Sequence, residues 1–381
     1  MPLQLTRSWS TPELESLRAT AVRFLETEMQ PQDEAARQRG NVGHAIWRRA
    51  GELGLLCTDI PEDYGGGGGD FRHEAVIHEE MARRALSGMS NSVHSIVAHY
   101  LLNHGTEAQK RKYLPAMARG ELVGAIAMTE PGAGSDLQGV RTRAELRDGR
   151  YRINGSKTFI TNGLLAGLIL VVCKTDPAQR ARHLHPHRGD PGLRGLSRGP
   201  RARQDGHEGP GHLGAVLRRR DRAAGRAAGR ARRPGLLPAH GRPALRTPDH
   251  RPGRPGLHGS AYEATLAYVR ERRAFGQAIA DMQNTRFKLA EVATTLTVGR
   301  AFIDRCVEQL VAGTLDTATA SMAKLWGSEA QGRVLDELVQ LHGGYGYMNE
   351  YMVTRMYADA RVQRIYGGTS EIMKEVISRA L

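Results

Sequence analysis

The stretch best equipped for ligand chemistry is Thr-Glu-Pro-Gly-Ala-Gly-Ser-Asp at positions 129–136. Its glycines let backbone N–H groups approach a ligand, and Thr129 and Ser135 add hydroxyls. Taken alone, the same string also reads as a surface turn. It is not a dinucleotide fingerprint, because the spacing from Gly132 requires glycine where Leu137 stands. A GxGxxG does occur at Gly209, Gly211 and Gly214. It lies in a Gly/Pro/Arg tract without a preceding strand, so coincidence is the better reading. Three later stretches carry glycine among polar neighbours: RRAFGQ at 272–277, LHGGYGY at 341–347 and IYGGTSE at 365–371. Each could be a helix C-cap or an interhelical turn. Three in one helical region, together with the 129–136 loop, suggest a shared ligand.

Histidines invite metal readings, but their spacing argues against them. His73-Glu74 and His78 form HExxxH, not HExxH. His94, His99 and His104 are also five apart, which turns each about 140° around a helix from the last. Core or surface histidines are the better reading, and no metal is expected.

The elements that must position these residues follow from periodicity. Ser10 to Glu13 resemble a capped helix start, and Leu14, Leu17, Ala21 and Leu25 follow at helical spacing. Further helices are expected at 46–56, 71–87, 90–103 and 107–119. The character changes near Gly120. Short strands are expected at 123–128, 141–146, 151–154, 156–161 and 168–174, with Asp148-Gly149 as a hairpin turn. Long amphipathic helices resume at 262–273, 285–312, 316–341 and 351–361. The fold class is α+β: an N-terminal helical domain (1–122), the first part of a β domain (123–180), and a C-terminal four-helix bundle (260–381).

Residues 181–259 break every pattern. They hold 15 Gly, 10 Pro and 8 His, only one Val, and no Ile, Phe, Tyr, Trp or Met. Such a tract has little apolar surface to offset its ordering entropy, so it is expected to be disordered and to leave the β domain incomplete. It carries 18 Arg against 5 acidic residues, while the whole chain stands at +14. The rest of the chain is therefore near neutral. The basicity is a property of one tract, not an argument for a nucleic-acid or lipid partner. The longest apolar run is 11 residues, at 163–173, so no membrane span or signal peptide is expected. Three scattered cysteines, Cys57, Cys173 and Cys306, fit a reducing, cytoplasmic setting.

Together these residues resemble the acyl-CoA dehydrogenase family, over roughly residues 5–178 and 260–381. TEPGAGSD, INGSKTFITNG at 153–163, RRAFGQ and GGTSEI carry the resemblance, and LHGGYGYMNEY at 341–351 looks like the long-chain and branched-chain members. The family implies helical, β and four-helix-bundle domains and a dimer of dimers, a homotetramer. It implies FAD between the β domain and the bundle, reaching the neighbouring subunit. By matching positions, Ile126, Ala127, Met128, Thr129, Gly132, Gly134 and Ser135 would line the flavin. Phe159, Ile160 and Thr161 would pack against it. Arg272, Phe275, Gln283, Gln340, Gly343 and Gly344 would hold the dinucleotide across the interface. Thr369 and Glu371 would complete the flavin site, and Ser135 and Gly368 would face the thioester.

The implied reaction is α,β-dehydrogenation of an acyl-CoA thioester, with electrons passed to electron-transfer flavoprotein. A carboxylate must remove the α proton while the carbonyl is polarised. The family keeps that carboxylate in one of two slots. The first falls here at Gly367, which cannot be a base. The second, at the start of the bundle's first helix, falls at Arg246, inside the aberrant tract. No catalytic residue is intact.

One account explains both the tract and the missing base: residues from about 180 to 259 are an out-of-frame reading of an ordinary dehydrogenase gene. Reading one base later permits Val-Leu-Asp-Lys-Met-Gly-Met-Lys-Gly-Gln-Asp-Thr-Ser-Glu-Leu-Phe-Phe-Asp-Asp-Val across 201–220. It also permits Met-Ala-Asp-Leu-Pro-Tyr-Glu-Arg-Leu-Ile-Ile-Gly across 240–251, placing the glutamate in the slot of Arg246. Two other readings compete: a non-catalytic flavin or acyl-CoA scaffold, and a nucleic-acid-binding protein using the Arg/Gly tract as an arm. The tract lacks the interleaved aromatics that stack on bases.

Overall fold

A computed structural model describes residues 6–147, 151–175 and 259–381 with their side chains. It also describes the backbone of Arg150 and of strands lying between 182 and 238. Among the described residues the N-terminal part holds six α-helices: α1 (Pro12–Phe24), α2 (Asp33–Arg39), α3 (Gly43–Glu52), α4 (Phe71–Arg83), α5 (Asn91–His104) and α6 (Glu107–Ala118). The expected start of α1 is there: Thr11 accepts the Leu14 N–H at 3.3 Å, and Pro12 opens the helix. Asp70 and His73 form a capping box on α4, so His73 serves a helix start. After α6 the chain passes close to α3. A Cβ at Gly120 would meet the Trp47 carbonyl oxygen at 1.9 Å, and its φ is +67°, so only glycine fits.

The sheet begins with β1 (Gly124–Ala127), β2 (Arg143–Arg147), β3 (Arg150–Ile160) and β4 (Leu168–Lys174). β1 lies parallel to β4, and β2 antiparallel to β3, with Arg147 opposite Arg150. The two strands expected at 151–154 and 156–161 are one. Asn154-Gly155 reads as a break, but Gly155 is needed for contact: a Cβ there would lie 2.3 Å from Thr142 Oγ1. Residues 168–173 of β4 are all buried. Leu168, Leu170 and Val172 pack with Val97, Leu101, Leu114 and Met117 of α5 and α6, while Ile169 and Val171 join Ala125, Ala127 and Ile160. A strand covered on both faces reads as a continuous apolar run. Each such side chain stabilises by about 1.5–3 kcal/mol.

The sheet does not stop at residue 180. The backbones of β5 (Arg182–Arg188), β6 (Leu196–Arg201) and β7 (Leu213–Leu217) continue it, β5 against β4 and β7 between β3 and β6. Pairing uses main-chain groups and not side chains, so a tract poor in apolar residues can still supply these strands. The expectation that it packs no core concerns side chains outside the described residues. So do Gly209 and Gly211, while Gly214 lies within β7.

The C-terminal bundle consists of α7 (Gly259–Glu271), α8 (Gln283–Val311), α9 (Thr317–His342) and α10 (Met352–Arg361), followed by a short α11 (Ser370–Ser378). α11 was not expected: its start coincides with GGTSE, read as a helix C-cap, an interhelical turn or part of a ligand site. Leu289, Leu296, Leu335, Leu338 and Met356 fill the bundle core. The bundle joins the N-terminal helices through Trp9, Leu14, Phe71 and Val76 against Ile303, Cys306 and Val307. Polar contacts add Trp9 Nε1 to Asp304 at 2.9 Å and Arg300 to Glu79 at 2.8 Å.

Candidate cofactor and substrate site

The 129–136 loop is held against β3 by one buried pair. Lys157 Nζ donates to the Met128 carbonyl at 2.9 Å and to Glu130 Oε1 at 2.8 Å. The Glu130 carboxylate also accepts the N–H groups of Arg141 and Thr142 and the Thr142 hydroxyl, at 2.7, 2.9 and 2.5 Å. Burial raises the Glu130 carboxyl, but Lys157, Thr142 and the two N–H groups outweigh it and hold the group below the usual carboxylate range. Thr158 N–H donates to the Thr129 carbonyl at 3.0 Å. These bonds bring Ile126, Ala127, Met128 and Thr129 beside Phe159, Ile160 and Thr161.

What this lock presents is backbone and an aromatic ring. Gly132, Gly134 and Ser135 are exposed, and a Cβ at either glycine would meet nothing within 4 Å. The protein's own packing therefore does not require glycine there, whereas a ligand lying on the loop would. Ile160 is buried, but Phe159 is 53% exposed with φ +57°. That conformation costs a non-glycine residue about 1–3 kcal/mol and is characteristic of ligand clamps. Asn162, also at positive φ, fixes the turn by donating to the carbonyls of Ser90 at 3.1 Å and Gly124 at 3.2 Å.

A second group gathers at one end of the bundle. The Tyr268 hydroxyl donates to the His342 carbonyl at 3.2 Å, and the two rings stack with centroids 4.4 Å apart. This ties the last turn of α7, where Arg272 follows, to the turn holding Gly343 and Gly344. Phe275, at the tip of the hairpin formed by Arg273–Ala274 and Gln277–Ala278, is 94% exposed. Gln283 opens α8, and Gln283 and Gln340 are exposed. Gly343 and Gly344 again have room for a Cβ.

The third group is the turn into α11. Gly367 (φ +62°) is exposed and Gly368 has φ +95°. The Gly368 carbonyl accepts a short bond from Lys324 Nζ, and burial pushes that ammonium down to about 8 against Glu329 and Glu371. Thr369 caps α11 by accepting the Ile372 N–H, and Ser370 donates to Glu329 at 2.7 Å. The Glu371 carboxyl is lowered by its own backbone N–H and by the Thr369 hydroxyl. Arg246 lies outside the described residues. Sequence reasoning missed Lys157, Glu130, Asn162 and Lys324 as supports. The first three stand inside quoted motifs, but nothing in the spacing pairs them.

Among the described residues, no three His, Cys, Asp or Glu side chains gather as a metal site, and no helix is long and apolar enough to cross a membrane.

Helices flanking a central sheet, with glycine loops at the sheet and at one end of the bundle where a Cβ would meet nothing, define a helix–sheet–helix protein. The acyl-CoA dehydrogenase N-terminal, middle and C-terminal domain descriptions match residues 11–121, 125–212 and 250–381. The chain is 40% identical over 376 residues to the rat (Rattus norvegicus) mitochondrial long-chain specific acyl-CoA dehydrogenase, covering 97% of this chain and 86% of that protein. An acyl-CoA dehydrogenase from Geobacillus kaustophilus superposes with a TM-score of 0.89 at 36% identity, over 98% of this chain and 99% of that one. An acyl-CoA dehydrogenase complexed with FAD from Bacillus anthracis gives 0.88 at 29% identity, over 100% of this chain and 69% of that one. The chain belongs to the acyl-CoA dehydrogenase family.

Proposed function

We propose that this protein is built for FAD-dependent α,β-dehydrogenation of an acyl-CoA thioester to the trans-2-enoyl-CoA, and that the chain as written is impaired in it. The observation that carries the reading is the Lys157–Glu130 lock, which sets a glycine loop with free space above it beside the exposed Phe159 ring. These residues fit FAD: Gly132, Gly134, Gly343 and Gly344 leave room for its phosphates and ring edges, and Phe159 offers a face to a planar system. FAD, when bound, supplies the acceptor for the β hydride. Ile126 to Ser135 and Phe159 to Thr161 orient it, Arg272, Phe275, Gln283, Gln340, Gly343 and Gly344 hold the dinucleotide, and Thr369 and Glu371 close the site. Ser135 and Gly368 face the thioester.

The impairment follows from proton transfer. The α proton needs a carboxylate, and Gly367 offers only backbone while Arg246 offers a cation. The out-of-frame reading of residues 180–259 accounts for both. Electron-transfer flavoprotein as electron acceptor, a homotetramer and a cytoplasmic location belong to the same reading; the three cysteines, scattered along the sequence and all buried, support a reducing setting. The test is uptake of FAD by the purified chain, with loss of affinity in Thr161→Ala and Arg272→Ala. Absence of uptake would contradict the reading.

A further inference from the structure

A partly open cavity of about 40 Å³ lies where α4 and α5 meet α9 and α10. That is room for roughly three water-sized groups. Met81, Leu86, Met89 and Met356 give it apolar walls, but Asn91 and Ser87 also line it. Asn91 is only 1% exposed, and among the described residues neither atom of its amide has a hydrogen-bond partner; nor has the Ser87 hydroxyl. An amide carries two donors and an acceptor with two lone pairs, and leaving them all unmatched in a buried site is costly. Such a group persists where something else uses it.

Two connections place the cavity at the site. Ser90, one residue before Asn91, accepts the bond from Asn162 that fixes the turn after Phe159 to Thr161. On the opposite wall, Asp359 and Gln363 lead directly into the turn at Gly367. The cavity is thus tied through Ser90 to the turn after Phe159 to Thr161 and through Gln363 to the turn at Gly367.

We propose that this cavity receives a hydroxyl group carried on the acyl chain, so that the protein prefers hydroxyacyl-CoA thioesters over unsubstituted ones. This rests on the acyl-CoA reading above. A hydroxyl both donates and accepts, matching the Asn91 amide and the Ser87 hydroxyl. A carboxylate only accepts, and would share the cavity with the Asp359 carboxylate. An ammonium only donates and leaves the Asn91 N–H groups unmatched, and a plain alkyl end satisfies neither residue.

The test is calorimetric binding of the full chain to matched unsubstituted and ω-hydroxy straight-chain CoA thioesters, from butyryl to dodecanoyl. At one or more lengths the hydroxylated thioester should bind about fivefold tighter or more, the worth of one net hydrogen bond. Asn91→Leu should erase that preference without weakening the unsubstituted thioester. Should Asn91→Leu not fold, Ser87→Ala carries the comparison and should reduce the preference. Equal or weaker binding of the hydroxylated member at every length overturns the proposal while leaving the acyl-CoA reading standing, as does a preference that survives both substitutions. Failure of every thioester to bind contradicts the acyl-CoA reading and takes the inference with it.

Discussion

Lys157 and Glu130 hold the 129–136 loop by a buried charge pair, so removing one charge strands the other. Lys157→Met should cost about 3–5 kcal/mol, read by urea unfolding, and should weaken FAD uptake; unchanged stability would contradict the assigned role. His94 makes a second residue-scale prediction. It is fully buried, and burial pushes its imidazole down to about 4, although the Met117 carbonyl opposes this. Its Nδ1 accepts the Gly124 N–H at 3.1 Å while Nε2 faces the Met117 carbonyl at 3.2 Å. A proton on Nδ1 would oppose the Gly124 N–H. The folded pKa lies below the unfolded one of 6.5, so the stabilisation is complete above pH 6.5 and is lost as pH falls toward 4. The loss amounts to about 3 kcal/mol. His94→Gln should flatten stability against pH across that window, and an unaltered profile would count against it. Sequence spacing favours a core or surface role for His94, but it cannot show the imidazole tying α5 to β1, because the Gly124 N–H and the Met117 carbonyl are main-chain groups.

At the scale of elements, β4 joins the helical domain to the sheet. Leu170→Ala should destabilise by about 2–5 kcal/mol in thermal or urea unfolding, because its cavity would open between α5, α6 and the sheet. Thr369→Ala removes the cap of α11 and should cost about 1 kcal/mol, with faster amide exchange confined to the last turns of the chain. β4 was legible because six successive buried residues are apolar. The unity of β3 was not, since Gly155 signals a break until Thr142 is seen pressing on it. α11 was hidden because a threonine cap and a ligand turn are written with the same residues. The strands between 182 and 217 were illegible for another reason: their pairing is main-chain, and their side chains carry no alternation to read.

For the whole molecule, the four motif groups were legible because each departs from what packing alone demands. Glycines stand where a Cβ would fit freely, and Phe159 and Phe275 are exposed at positive φ. How these groups face one another was not legible, since they stand on different domains. Nor was the Asn91 cavity, which exists only where the N-terminal helices meet the bundle. On the proposed function, the scaffold retains its cofactor site while Gly367 and Arg246 leave both slots for the proton-removing carboxylate without one. The most direct measurement is the visible spectrum of the FAD-loaded chain during anaerobic addition of a long-chain acyl-CoA. The flavin should remain oxidised in the chain as written and be reduced in the protein made from the frame-corrected coding sequence. Rapid loss of the oxidised flavin band in the chain as written would show that a proton-removing base survives in it.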